Sequence, residues 1–193
     1  MLSLKRVEDS QTLRRIVERE LSELSIKDAC FMVLLSSLNE LTEKGIDAAE
    51  FLFSANPGEE PRPLAKIASG GELSRIMLAL KSALKSDHYP STLVFDEVDS
   101  GIGGKAATVL GEKLSRLAQT HQVFCVTHLP QIAGFADQHF HVDKFQQSGR
   151  TLVSIRLLDE KGRIEELSRM LAGEAVTETT RQQARQMLAR TRG

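Results

Sequence analysis

Apolar residues recur every three or four positions in five stretches of the chain, which is the spacing of one face of an α-helix. These stretches predict helices over residues 1–25, 71–86, 105–119, 164–171 and 176–190. A shorter helix over residues 129–136 is expected to carry Pro130 in its first turn, and Gly173 is expected to end the helix that precedes it. The helix over 71–86 has its apolar stripe on Leu73, Ile76, Met77, Leu80 and Leu84.

Shorter apolar runs between turn residues predict strands over residues 29–37, 48–55, 91–95, 122–127, 138–145 and 151–158. The first strand is expected to be buried. A polar link over 38–45 should join it to the second strand in an antiparallel pair near the helix over 71–86. A turn over 147–149 should join the last two strands as a hairpin.

The strands over 91–95 and 122–127 are separated by one helix, as in a parallel crossover. A right-handed crossover places the carboxyl ends of both strands on one edge of a sheet. Glu97 and His128, which follow these strands, are therefore expected on the same edge.

The helix over 1–25 is strongly charged, with a single apolar stripe. It is too short for heptad spacing alone to predict a coiled coil. An ordinary surface helix is the simpler interpretation, and its arginines are more consistent with a solvated face than with a DNA contact. The stripe is formed by Leu13, Ile16 or Val17, Leu21 and Leu24, and the arginines are Arg14, Arg15 and Arg19.

The first candidate site is the start of the helix over 71–86. Ser69 and Glu72 have the spacing of a capping box, in which each side chain satisfies an N–H group of the first helical turn. Capping does not explain Gly70 and Gly71, which lower helix propensity. Paired glycines at a helix start let N–H groups approach an anion, and the helix dipole adds positive charge there. A phosphate contact is therefore favoured over a merely well-capped core helix.

The second candidate site is the acidic end of the strand over 91–95. Asp96 is a candidate for holding a hydrated Mg²⁺, and Glu97 for orienting an attacking water. A helix from Gly71 to Ser86 spans roughly 24 Å. The glycine pair and the acidic pair are therefore expected at opposite ends of a rigid rod. Two nucleotides and a symmetric dimer would then be needed to use both sites.

One further motif is rejected. Gly103-Gly104-Lys105 looks like part of a phosphate loop, but that loop needs an earlier glycine and a Ser or Thr after the lysine. Asp99 stands where the earlier glycine is needed, and Ala106 follows the lysine. No phosphate-loop pattern occurs in the 193 residues.

Composition narrows the class of protein. The chain is 41% hydrophobic and 26% charged, which fits a soluble globular domain, and its net charge of −1 does not indicate a nucleic-acid surface. Cys30 and Cys125 lie in apolar runs and are expected to be reduced and buried. The longest uncharged apolar run, over 29–39, is too short to cross a bilayer. A cytoplasmic location is expected, with no membrane partner.

Three segments together resemble a known family: IASGGELSR at 67–75, FDEVDSGIGG at 95–104 and CVTHLPQIA at 125–133. Their order along the chain is similar to that in the second half of an ABC-type ATPase. Their amino-acid sequences resemble those of the RecN family of bacterial DNA repair proteins, which are relatives of the SMC proteins. The resemblance covers residues 48–143. It implies an α/β fold, the C-terminal lobe of an ATPase head, with a mostly parallel sheet flanked by helices. Residues 1–28 would be the end of a coiled coil and 29–193 the lobe.

The resemblance also implies roles for single residues. Ser69, Gly70, Gly71 and Glu72 would form the signature motif that contacts ATP bound to a partner head. Asp96 would serve Mg²⁺, in the main through water, and Glu97 would position the water. Asp99 would link the two sites, and His128 would address the γ-phosphate. The partners implied are an N-terminal lobe of the same protein, a second head and DNA in the bacterial nucleoid.

Two other functions remain open from the residues. The chain could be the nucleotide-binding domain of an ABC transporter, although DEVDSGIGG favours the SMC relatives. It could also be a non-catalytic dimerisation module, although the intact Asp96, Glu97 and His128 argue against that. His139 and His141 share one face of a predicted strand, but surface or core histidines are a better explanation than a metal site. The basic last helix (Arg181, Arg185, Arg190 and Arg192) is more consistent with solvation than with DNA contact.

Overall fold

The computed structural model describes residues 1–84, 91–147 and 149–191. The helices in this part are α1 (Leu2–Glu23), α2 (Gly70–Ala83), α3 (Gly104–Ala118), α4 (Pro130–Ala133), α5 (Glu160–Ala172) and α6 (Glu178–Thr191). The strands are β1 (Cys30–Thr42), β2 (Gly45–Ser54), β3 (Arg62–Pro63), β4 (Thr92–Phe95), β5 (Gln122–Cys125), β6 (Phe140–Gln147) and β7 (Arg150–Leu157). A 3-10 turn at Leu64–Lys66 precedes α2.

The chain divides into two compact units. The first comprises Met1–Ile102 and Arg116–Val126, and the second comprises Gly103–Ser115 and Thr127–Gly193. The division between the units falls within α3, between Ser115 and Arg116. A boundary between a helix end at residue 28 and a lobe from residue 29 stays a prediction.

In the first unit, β1 and β2 form the predicted antiparallel hairpin, with Phe31 opposite Phe53. The expected polar link over 38–45 is wrong, because β1 continues to Thr42 and β2 begins at Gly45. The expectation that the first strand is buried is also largely wrong. Phe31 is fully buried, but Leu34 is 47% exposed. A hairpin covered on one face alternates between inside and outside, so an apolar run does not guarantee burial.

Helices α1 and α2 pack on this hairpin around one apolar cluster. Val17 and Leu21 of α1 are buried in it with Ile76, Ala79 and Leu80 of α2. Phe31 and Phe53 of the hairpin belong to the same cluster. Near its beginning, α1 is tied to the hairpin by Arg6, whose guanidinium lies 2.7 Å from the Asp47 carboxylate. The first helix is therefore part of the unit's core.

The buried face of α2 differs from the predicted stripe. Ile76 and Leu80 are buried as expected, but Met77 is 42% exposed and Leu84 is 49% exposed. Leu78 and Arg75 are buried instead. The helix ends at Ala83 because Leu84 is extended, so the predicted end near Ser86 is too late; residues 85 and 86 lie outside the described part of the chain.

Strands β4 and β5 pair in parallel, with Phe95 opposite Cys125, as the crossover pattern predicted. The α/β class is confirmed. Among the described strands, however, only this pair is parallel, and the other two sheets are antiparallel. The reason is connection length: a parallel pair needs a crossover of a dozen or more residues, whereas both hairpins are closed by short turns.

The second unit is built on α5 and α6. Leu167 of α5 and Ala184 and Leu188 of α6 are buried together with Ala133 of α4. The N-cap of α5 is Asp159, whose carboxylate accepts the Gly162 N–H at 2.7 Å. Gly173 ends this helix with φ of 64°, as expected.

Strands β6 and β7 form the predicted hairpin, with Gln147 opposite Arg150. Ser148, in the predicted turn, lies outside the described residues. Both cysteines are free thiols, half-buried rather than buried. Among the described helices, none has both the length and the apolar character needed to cross a membrane.

Candidate functional site

The start of α2 is a capped helix terminus packed closely against the turn that follows β4. Ser69 is the N-cap, and its hydroxyl accepts the Glu72 N–H at 3.3 Å. A Cβ atom on Gly70 would lie 2.7 Å from Glu97 Oε2, and one on Gly71 would lie 2.9 Å from both the Glu97 carbonyl and Ser100 Cβ. The glycine pair therefore has a packing reason. The anion contact predicted from the sequence stays a prediction.

Because of this packing, the expectation that the glycine pair and the acidic pair lie at opposite ends of a rigid rod is wrong. After α2, the chain returns along β4 and brings Glu97 back to the beginning of the helix. The Glu97 carboxylate thus lies beside Gly70, close to the positive end of the helix dipole. The prediction was wrong because it used only the length of the helix. It did not take into account the direction of the strand that follows.

Glu97 has an unusual backbone conformation. Its φ is +54°, one of two positive values among the described non-glycine residues. Its N–H donates to Asp96 Oδ1 at 2.9 Å. Left-handed backbone in a non-glycine residue is uncommon and often occurs at functional sites. Asp96 and Glu97 are both exposed at the end of β4.

Two polar side chains of α2 join the helix to this acidic turn. The Ser74 hydroxyl donates to the Asp96 carbonyl at 2.7 Å. Arg75 Nη1 donates to the Val98 carbonyl at 3.2 Å and to the Ser100 carbonyl at 2.7 Å. Burial lowers the pKa of Arg75, while Glu72 and Asp99 act in the opposite direction. The sequence interpretation missed both residues; the signal was a charged side chain one helical turn after Gly71, on the same face.

The carboxyl end of the parallel pair is electrostatically negative. Burial, followed by the charges of Asp99 and Asp96, raises the pKa of the Cys125 thiol to about 12. Cys125 therefore stays protonated and unreactive at neutral pH. Asp99 itself is only 4% exposed, so its predicted role as a link between two heads stays a prediction.

The residues present fit a magnesium ion that arrives with a nucleotide. Among the described residues, no cluster of three or more potential ligands could form a cage for a metal. A single exposed carboxylate in a negative field suits Mg²⁺, which keeps most of its waters and uses one or two carboxylates plus substrate phosphates. Asp96 meets this description, and Asp99 contributes to the field.

His128 is exposed and lies three residues after the end of β5. It belongs to the second unit and Glu97 to the first, so their expected position on one edge stays a prediction. The parallel pairing of β4 and β5 is the part of that argument that is confirmed.

The minor candidates have local partners. His141 Nε2 lies 2.8 Å from Asp143 and its Nδ1 3.2 Å from Glu166. The preference for a structural histidine over a metal ligand stays a prediction. Arg181 and Arg185 pair with Glu165 and Glu178, both at 2.8 Å. Their charges are thus partly neutralised; Arg192 lies outside the described residues.

Curated relatives match nearly the whole chain. DNA repair protein RecN from Deinococcus radiodurans is 50% identical over 167 residues, which covers 86% of this chain and 29% of the relative. RecN from Rickettsia bellii is 41% identical over 187 residues, covering 97% and 34%. The chain thus spans about a third of the length of the relatives it matches. A scan against protein-family models found no match.

Solved structures show the same fold at low sequence identity. The Smc head domain with coiled coil and joint from Pyrococcus yayanosii has a TM-score of 0.52 and 15% identity over 84% of this chain and 29% of that one. An SMC ATPase studied for ATP-driven dimerisation has a TM-score of 0.50 and 14% identity over 90% of this chain and 98% of that one. The fold is therefore that of an SMC-type head lobe, and the chain belongs to the RecN family over the segment that it represents.

Proposed function

We propose that this chain is the C-terminal half of a RecN-like ATPase head. An N-terminal lobe would supply the phosphate loop. The completed heads would bind and hydrolyse ATP as a head-to-head dimer that acts on DNA double-strand breaks in repair and recombination, in the bacterial cytoplasm at the nucleoid. The observation that carries the proposal is the direct packing of the SGGE helix start against the acidic turn at Asp96 and Glu97.

Open apolar surface supports the need for an N-terminal lobe. Parallel strands are normally covered on both faces. In the first unit, Val94 is 69% exposed, Phe124 is 47% exposed and Val126 is 62% exposed. Val94 and Phe124 are direct partners in the β4–β5 pair, so they form a continuous apolar patch. Covering that patch with additional strands or helices would complete the layered architecture of an α/β fold.

The proposed chemistry assigns one task to each group of residues. Asp96 would hold the water shell of Mg²⁺, which neutralises phosphate charge when it is bound. Glu97 would accept a proton from the attacking water, and its exposed carboxylate at the strand end is accessible for this task. His128 would donate a hydrogen bond to the γ-phosphate. Asp99 would join the two nucleotide sites.

The signature motif would act on the nucleotide of a second head. Ser69 and Gly70 are exposed at the start of α2, where the Ser69 hydroxyl and backbone N–H groups can meet an anion. Glu72 lies in the same first turn and is half-buried. In this chain the Glu97 carboxylate lies beside Gly70, so closure of a dimer would bring a phosphate and this carboxylate close together unless Glu97 turns away.

The test is a pair of variants in the complete protein. Glu97→Gln keeps the shape of the side chain but cannot accept the proton, so ATP binding should persist while turnover falls by about 10²–10⁴-fold. Asp96→Asn should weaken both nucleotide binding and turnover, because it weakens Mg²⁺ coordination. Nucleotide affinity, turnover and dimer lifetime would be measured separately. Near wild-type turnover by Glu97→Gln would refute the assignment of the base and direct attention to His128.

A further inference from the structure

Arg75 is a buried cation on the helix that carries the signature motif. It is 8% exposed, and one of its guanidinium nitrogens donates to the carbonyls of Val98 and Ser100. Those two residues flank Asp99. The arginine therefore holds the backbone of the turn on both sides of the residue proposed to link the two nucleotide sites.

Helix α2 makes three kinds of contact with this turn. Ser74 holds the Asp96 carbonyl, Gly71 lets the helix come within contact distance of Ser100, and Arg75 holds the carbonyls on either side of Asp99. The backbone from 96 to 100 is thus fixed to the first two turns of α2. A displacement of the signature motif must move the acidic turn with it or break these hydrogen bonds. Those of Arg75 are buried or partly buried, so leaving them unmade is costly.

We propose that Arg75 is a positioning residue that couples the signature motif to the Asp99 turn, so that engagement of one site sets the geometry of the other. The inference rests on the proposed ATPase function. Arg75 would contact neither the nucleotide nor the attacking water. Its effect would pass through the Val98 and Ser100 carbonyls to the position of Asp99.

A second buried arginine provides a matched control. Arg163 of α5 is 7% exposed and donates to the carbonyls of Ala136 and Asp137 in a turn of the second unit. It has the same chemistry and similar burial, in a turn to which no catalytic role is assigned. If kcat fell only because a buried arginine had been removed, it would fall equally in Arg163→Met.

The experiment compares Arg75→Met, Arg75→Lys and Arg163→Met in the complete protein. Arg75→Met should lower kcat by about 10- to 100-fold, because small misplacements in an active site have effects of this size. The KM for ATP should change by less than about threefold, since the interaction lost serves the transition state rather than ground-state binding. Arg75→Lys should recover part of kcat, because an ammonium group can still donate to one carbonyl. Arg163→Met should lower thermal stability and leave kcat unchanged.

Several results would overturn the inference: wild-type kcat in Arg75→Met, an equal loss of kcat in Arg163→Met, or no recovery in Arg75→Lys. If Arg75→Met does not fold, Arg75→Lys is used for the test instead. A reduced kcat in Arg75→Lys, with stability near that of the wild type, would then support the inference. If the wild-type protein shows no turnover, the proposed function fails, and amide hydrogen exchange over residues 98–102 decides the coupling by itself. Exchange there should rise in Arg75→Met and stay unchanged in Arg163→Met.

Discussion

At the scale of single residues, the two signature glycines have different neighbours. A Cβ on Gly71 would meet backbone and a short side chain, the Glu97 carbonyl and Ser100 Cβ, both at 2.9 Å. A Cβ on Gly70 would meet only the carboxylate end of Glu97, which can rotate away. Neither glycine has a positive φ among the described residues, so space rather than backbone conformation distinguishes them.

We therefore expect Gly71→Ala to destabilise the protein by about 1–3 kcal/mol, as overpacking of a close contact does. Gly70→Ala should be close to neutral in stability, because alanine favours the helix and the carboxylate can yield. Urea unfolding of both variants measures the difference. Equal losses of stability would mean that the turn after β4 does not lie against α2 as described.

Glu97 illustrates how local geometry adds to a motif. The acidic pair was predictable from the strand that precedes it, but the positive φ of Glu97 and its position beside Gly70 were not. The position beside Gly70 is a contact between residues more than twenty positions apart. No local pattern in the segment 91–97 encodes them.

At the scale of helices and strands, Gly111 provides a second close contact. It lies on α3, and a Cβ there would overlap the ring of Phe135, with Cε2 at 2.9 Å, and would come within 3.1 Å of the Gln131 carbonyl. Glycine within a helix normally costs about 1 kcal/mol relative to alanine. Its presence is explained by the close approach of α4 and of Phe135 just after it.

Gly111→Ala is expected to lower the free energy of unfolding by about 1–3 kcal/mol, because the steric overlap outweighs the gain in helix propensity. Gly103→Ala, just before α3, is a control for the steric effect alone, since a Cβ there would have no neighbour within 4 Å. Thermal or urea denaturation provides the comparison. Adding Phe135→Leu to Gly111→Ala should recover part of the loss, and a stabilised single variant would contradict the contact.

The elements were largely predictable, and their burial was not. Helix and strand positions follow from periodicity, which is a property of neighbouring residues. The expected stripe of α2 included Met77 and Leu84, which are exposed, and omitted Arg75, which is buried. The buried face is set by the elements that pack on the helix, namely α1 and the hairpin on one side and the turn after β4 on another.

At the scale of the whole molecule, two half-buried titratable groups make stability depend on pH. Burial lowers the pKa of His139 below its ordinary value of 6.5, with Arg163 and His141 acting in the same direction and Glu166 against them. The unfolded chain therefore binds a proton at a higher pH than the folded chain does. The free energy of unfolding should fall as the pH decreases below 6.5.

Urea denaturation at pH 7.5, 6.0 and 5.0 should show this loss, and His139→Gln should reduce it. Glu166 provides a separate acid range, because its hydrogen bond with Arg169 lowers the pKa of the carboxyl below 4.5. That contribution is present above pH 4.5 and is lost as the pH falls further. An identical pH dependence in wild type and His139→Gln would contradict the described burial.

The absence of a phosphate-loop pattern from the 193 residues leads to a prediction for the isolated chain. It should show almost no ATPase activity, because nothing in it matches the turn that holds the β- and γ-phosphates. Purified chain would be assayed with Mg²⁺ and ATP, with and without the proposed N-terminal lobe. Strong turnover by the chain alone, still present in Glu97→Gln, would refute the assignment of a half-site.

The sequence by itself determined the α/β class, the two hairpins, the parallel β4–β5 crossover and the RecN resemblance. These depend on local periodicity, turn residues and connection length, which a linear pattern records. Only the tertiary structure decided that α2 starts against the turn at Asp96–Ser100, that Arg75 holds this turn and that Glu97 lies beside Gly70. These features arise because the chain reverses direction between α2 and β4, and close packing then selects which side chains are buried.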